Sequence, residues 1–118
     1  MKNHRTLALA LALSLLAIVA SRGRAEEEPR AVEITAKRFE FVPATLTLKK
    51  GETVRLRVKS EDVIHGLFSR EFKLDTDLEP GKTQEFTVTP QNAGKFAAIC
   101  HHFCGAGHAN MRLTIVVE

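Results

Sequence analysis

Four soft or borderline metal donors fall within twelve residues near the end of this chain: Cys100, Cys104, His108 and Met111. Thiolate and thioether ligands select copper, above all Cu(I), and imidazole serves both copper oxidation states. The segment that carries them, Cys100-His101-His102-Phe103-Cys104-Gly105-Ala106-Gly107-His108-Ala109-Asn110-Met111, includes two glycines that let the backbone fold tightly enough for near neighbours to converge. A fifth candidate lies far upstream, His65 in Asp62-Val63-Ile64-His65-Gly66-Leu67. A lone histidine among apolar residues is more often a packed imidazole than a ligand. It joins a metal site only if the fold carries it to the loop.

The flanking elements are of a kind that could do so. Val32, Ile34 and Ala36 alternate with Glu33, Thr35 and Lys37; Leu46 and Leu48 with Thr45 and Thr47; Val54, Leu56 and Val58 with Arg55, Arg57 and Lys59. Period-two alternation marks half-buried antiparallel strands. Further strands are expected over 83–89, 95–100 and 112–117, with turns at Lys50-Gly51-Glu52, Pro80-Gly81 and Gln91-Asn92-Ala93-Gly94. The weakly patterned stretch 69–77 reads as a loop, and the seven Phe most simply as core, with Phe68 and Phe103 set apart as lying near the donor residues. About seven short strands and no long stripe at helical spacing predict an all-β sandwich. The donor loop then joins two strands at one pole, and His65, following a strand, can reach the same pole.

The first 25 residues read as a separate segment. Lys2, His4 and Arg5 precede an apolar run from Leu7 to Ala20 broken only by Ser14, and Gly23-Arg24-Ala25 follows. This is the plan of a secretory signal peptide. The apolar run is short against the ~20 residues that span a bilayer. The expected organisation is therefore a signal peptide over 1–25, a short acidic linker over 26–30 and one domain over 31–118. The mature form would be exported or periplasmic, with no stable membrane span. Four of the 17 Lys and Arg fall in the leader and none of the 14 Asp and Glu, so the mature part is near neutral, with 13 basic residues against 14 acidic. No clustered basic face points to nucleic acid, and no nucleophile with its base, nor any phosphate-cradling loop, points to a free-standing enzyme.

The spacing Cys-x3-Cys-x3-His-x2-Met at 100, 104, 108 and 111, with Asp-Val-Ile-His at 62–65, resembles the CuA domain of cytochrome c oxidase subunit II. The CuA domain of nitrous oxide reductase has a similar ligand loop. The likeness runs from Phe39 to Val117. It implies a cupredoxin-like Greek-key fold and a one-electron carrier holding two copper ions. Cys100 and Cys104 would bridge both ions, His65 would bind one and His108 the other. Met111 and the backbone carbonyl of His102 would be weak ligands, one to each. The partner implied is a redox protein such as a cytochrome c or an oxidase.

Two departures stand out. Where the family usually has Glu this chain has His102, which keeps the carbonyl but not a carboxylate for magnesium. The aromatic, Trp-containing docking patch of the oxidase subunit has no counterpart, since the chain has no Trp. Other readings account for part of the donor set. A one-copper blue site would use His65, Cys104, His108 and Met111, although Phe103 stands where such sites place a His. A Cys100–Cys104 disulfide suits an exported protein but leaves His65, His108 and Met111 idle. Zinc disfavours Met111, and a copper carrier would use the same ligands for delivery. His101 and the His102 side chain read as solvent-exposed imidazoles.

Overall fold

Alternating side chains need two apolar faces to close on one another, and the chain supplies them as two packed sheets. The computed structural model describes residues 28–118; the expected leader, 1–25, and the first two residues of the expected linker lie outside the described residues. Nine strands follow: β1 (Arg30–Lys37), β2 (Glu40–Val42), β3 (Thr45–Leu48), β4 (Val54–Ser60), β5 (His65–Ser69), β6 (Leu74–Leu78), β7 (Thr83–Val88), β8 (Gly94–Ile99) and β9 (Arg112–Val117). β1 takes in Arg30, the last residue assigned to the linker. One sheet has the order β2-β1-β4-β7 and the other β3-β9-β8-β5-β6. Among the described residues the only helical element is one 3-10 turn, His108–Asn110, in the donor loop. None of them forms a helix long and apolar enough to cross a membrane.

Two pairings differ from the antiparallel expectation: β1 with β4, and β3 with β9, are parallel. Alternation reports that one face of a strand is buried and carries no information on the direction of its neighbour. The stretch expected as a loop also holds the end of β5 and all of β6 but Leu78. Leu74 and Leu78 are buried there while Thr76, between them, takes the third inward slot. A polar residue in that slot hides the period of two. Asp75 and Asp77 face outward on this edge strand, where charge discourages pairing with another chain.

The buried core draws on both sheets, with Ile34, Phe41, Leu56, Leu67, Leu113 and Ile115 almost wholly enclosed. Of the seven Phe, only Phe41 and Phe72 belong to it; Phe86 and Phe96 pack against its margin. Phe39 and Phe103 are 40% and 74% exposed; the first packs on the donor loop and the second belongs to it. On the outer face Arg57 bridges β4 to Glu33 and Glu85 at 2.9 and 3.3 Å and Arg55 also reaches Glu85, so the two arginines of β4 are paired across strands.

Candidate metal centre

Cys100 follows β8 and Met111 precedes β9, so the sheet fixes both ends of the loop. The Cys100 N–H donates to the Met111 carbonyl at 3.1 Å, and all six residue pairs of β8 and β9 below that point are in register. His65, the first residue of β5, comes up beside Cys100 because β5 and β8 are neighbours in the sheet. Its ring is fully enclosed. The histidine expected to follow a strand thus begins one.

The donors converge on two sulfurs. Cys100 Sγ and Cys104 Sγ are 3.7 Å apart. Cys100 Sγ lies 4.0 Å from His65 Nδ1 and 3.2 Å from the His102 carbonyl oxygen. Cys104 Sγ lies 3.8 Å from His108 Nδ1 and 3.8 Å from Met111 Sδ. Each sulfur therefore has one imidazole nitrogen and one weaker donor beside it. A disulfide holds its sulfurs about 2.05 Å apart; these cysteines are free and buried. Two sulfurs each about 2.3 Å from a shared metal, at a near-tetrahedral angle, would be separated by much the distance seen here.

The surrounding groups orient the donors. His65 Nε2 donates to Asp62 Oδ1 at 2.7 Å, which leaves the Nδ1 lone pair turned toward Cys100. A carboxylate on the far nitrogen is the usual way a ligand imidazole is fixed in tautomer and direction. Asp62 also accepts from the backbone N–H groups of Arg38, at 2.8 Å, and Val63, at 2.6 Å. Burial pushes its carboxyl up, but the Arg38 N–H, the His65 ring and the Val63 N–H outweigh it and bring the pKa down to about 2. The Gly66 N–H points at Cys100 Sγ from 3.4 Å. Burial, then the neighbouring Cys100, push the Cys104 thiol up to about 11, so a bound metal ion must displace its proton.

His101 and His102 turn their side chains away from the sulfurs. His101 Nε2 donates to Asp75 at 2.8 Å and its ring lies 5.8 Å from that of Phe68. His102 Nδ1 is 3.3 Å from Asp77. Both imidazoles keep substantial solvent exposure, as expected, and in addition tie the loop to β6. Sequence reasoning missed Asp62, Gly66, Asp75 and Asp77. Asp62 had a signal, an acid three residues before the histidine; Asp75 had none, being 26 residues from its partner.

The cupredoxin-like domain family model matches residues 7–117 of the chain. The chain belongs to that family. It is 41% identical over 73 residues to a probable cytochrome c oxidase subunit 2 of Streptomyces avermitilis, covering 62% of this chain and 23% of that protein. It is 33% identical over 91 residues to the nitrous-oxide reductase of Cupriavidus necator, covering 74% of this chain and 14% of the reductase. The chain therefore spans less than a quarter of either relative's length. In fold it is similar to the periplasmic domain of cytochrome oxidase subunit II of Bradyrhizobium japonicum, with a TM-score of 0.71 at 19% identity, covering 80% of this chain and 88% of that one. This cupredoxin domain is homologous to subunit II of the oxidase, and the neighbouring His65, Cys100 and Cys104 fit a copper site.

Proposed function

We propose that this cupredoxin is an exported electron-transfer module that holds two copper ions in a CuA-type centre. The observation that carries the reading is the matched pair of donor sets: two thiols side by side, each flanked by one imidazole nitrogen and one weak donor. Bound copper would supply one-electron redox chemistry, shared between two ions through the two thiolates. Cys100 and Cys104 would bridge, His65 and His108 would each bind one ion, and Met111 and the His102 carbonyl would be the weak ligands. Strands β5, β8 and β9 anchor His65, Cys100 and Met111 by the backbone, so oxidation and reduction need move these three little. Asp62 keeps the His65 ring turned to the site. Ile64 and Phe103, exposed beside Cys104, give a redox partner such as a cytochrome c or an oxidase an apolar surface close to the sulfurs. Residues 1–25 act as an export leader, and the intact mass of the exported protein should begin at Glu26.

Copper analysis with EPR of the reconstituted protein tests the centre. Two coppers per chain and an unpaired electron shared over two nuclei are expected. Cys100→Ser and Cys104→Ser should each abolish the shared state, while Met111→Leu should shift the potential with two coppers retained. One copper per chain, with Cys100→Ser keeping a blue spectrum, would overturn the reading in favour of a one-copper site.

A further inference from the structure

The turn between β1 and β2 touches both halves of the donor set, although it supplies no ligand. Phe39, 40% exposed, is a large apolar side chain on the surface, and part of what covers it is the backbone of the donor loop. A Cβ placed on Gly107 would lie 2.4 Å from Phe39 Cγ and 2.8 Å from its Cβ; one on Gly105 would lie 2.8 and 2.9 Å from Cε1 and Cζ. Such approaches are possible only because both positions are glycine. Gly105, with φ of 138°, needs glycine for its backbone as well. Gly107 does not: its φ of −90° and ψ of 5° are open to other residues. At Gly107 the obstacle to a side chain is the Phe39 side chain, chiefly its ring and with it the Cβ.

The loop has little else to hold its middle. Its 3-10 turn buries no residue, and the N–H groups of His108, Asn110 and Met111 bond back locally to Gly105, Gly107 and His108 at 3.2 Å each. On the other side of the turn, the Arg38 N–H donates to Asp62, whose other oxygen holds His65. We propose that Phe39 is a positioning residue, a clasp that seats Cys104 and His108 and, through Arg38 and Asp62, keeps them in register with His65. Its consequence for copper rests on the function proposed above; its effect on loop order does not.

Amide hydrogen exchange on the reduced, metal-free full domain tests the clasp directly. Phe39→Ala should speed exchange of the His108, Asn110 and Met111 amides by about tenfold or more, while the β8–β9 amides keep their protection. Phe39→Leu, which restores apolar cover, should recover much of it. Gly107→Ala should reproduce the acceleration in the parent chain, yet add clearly less in the Phe39→Ala background, where the ring is gone and only the contact with the residue-39 Cβ remains. In the copper-loaded protein, Phe39→Ala should release copper faster to a Cu(I) chelator. Unchanged loop exchange in Phe39→Ala overturns the proposal. So does uniform acceleration across all strands, or a Gly107→Ala cost that is equal in both backgrounds. A parent chain that takes up no copper would sink the copper reading, while the exchange data would still decide the clasp.

Discussion

Replacing Asp62 by Asn removes one charge and changes little else in shape, so its cost can be worked from the hydrogen bonds. The carboxylate accepts from three N–H groups: Arg38 on one oxygen, His65 and Val63 on the other. An amide has one oxygen, so its NH2 must face at least one of those donors. The carboxyl is brought from its ordinary 3.8 to about 2. At about 1.36 kcal/mol per pKa unit that depression corresponds to ~2.4 kcal/mol. The side chain is 34% exposed, and solvent screening lowers the expected loss to ~1–2 kcal/mol. The sign follows from the depression. The contribution is fully present above pH 3.8, and it is lost as pH falls through about 2. The chain has no Trp or Tyr, so urea unfolding of the reduced, metal-free protein is best followed by far-UV circular dichroism. With a slope of ~1 kcal/mol/M, Asp62→Asn should lower the midpoint by about 1–2 M at pH 7. The gap between parent and variant should persist to about pH 4 and close toward pH 2. Copper affinity should fall by about 10–100-fold, as expected when a ligand imidazole loses its acceptor. A gap that is the same at pH 7 and pH 2.5, or absent at pH 7, would refute the role assigned to this carboxylate.

Gly66→Ala should destabilise the domain by ~1–3 kcal/mol, the usual range for overpacking. The new Cβ would sit 2.2 Å from His101 Nδ1 and 2.7 Å from the His102 backbone nitrogen, and the backbone cannot rotate away. A parent-like melting temperature with full copper uptake would show that the loop does not rest on β5 there. For Cys104, whose thiol is pushed up to about 11, alkylation of the metal-free protein should be slow at pH 7. Its rate should climb about tenfold per pH unit as the thiolate forms. Peptide mapping after iodoacetamide checks this, and a rate already level by pH 9 would contradict it.

Alternation made most of the sandwich readable in the sequence because most strands bury one face and wet the other. β9 was expected over the residues it occupies, 112–117, and β1, β3 and β4 fall on their alternating apolar runs. β6 was hidden because Thr76 takes an inward slot between Leu74 and Leu78. The direction of β1 against β4 was illegible for a different reason, since parallel pairing is decided by connections rather than by residues. Phe39 was assigned to the core by its type alone, yet it packs on the donor loop, while Phe103 stands exposed within that loop, near the site as its position in the sequence had suggested. The donors themselves were the most legible part: five side chains and a carbonyl named from spacing and resemblance meet within 4.0 Å links around two sulfurs. What surrounds them was not. The contacts His101–Asp75, Gly66–Cys100 and Phe39–Gly107 join residues 26 to 68 positions apart, and only the packing of β5, β6 and the β1–β2 turn against the loop creates them.

Those surrounding contacts divide the centre unevenly. His65 and Cys100 sit at strand ends, and their side chains are further fixed by Asp62 and by the Gly66 N–H. Met111 is held by its bond to the Cys100 N–H at the mouth of the β8–β9 ladder. Cys104, though buried, and His108 lie between strands, held by local 3.2 Å turns, by Phe103 against the His108 ring and by the face of Phe39. Local opening costs least where buried apolar contacts and sheet hydrogen bonds are fewest. The centre should therefore open from the side of Cys104 and His108, with His65 and Cys100 keeping their places. That is also the side where Phe103 and Ile64 face solvent. The segment expected to yield for a metal to enter is thus the one nearest the apolar surface proposed above for a partner, while the half held by the sheets preserves the geometry to which it returns.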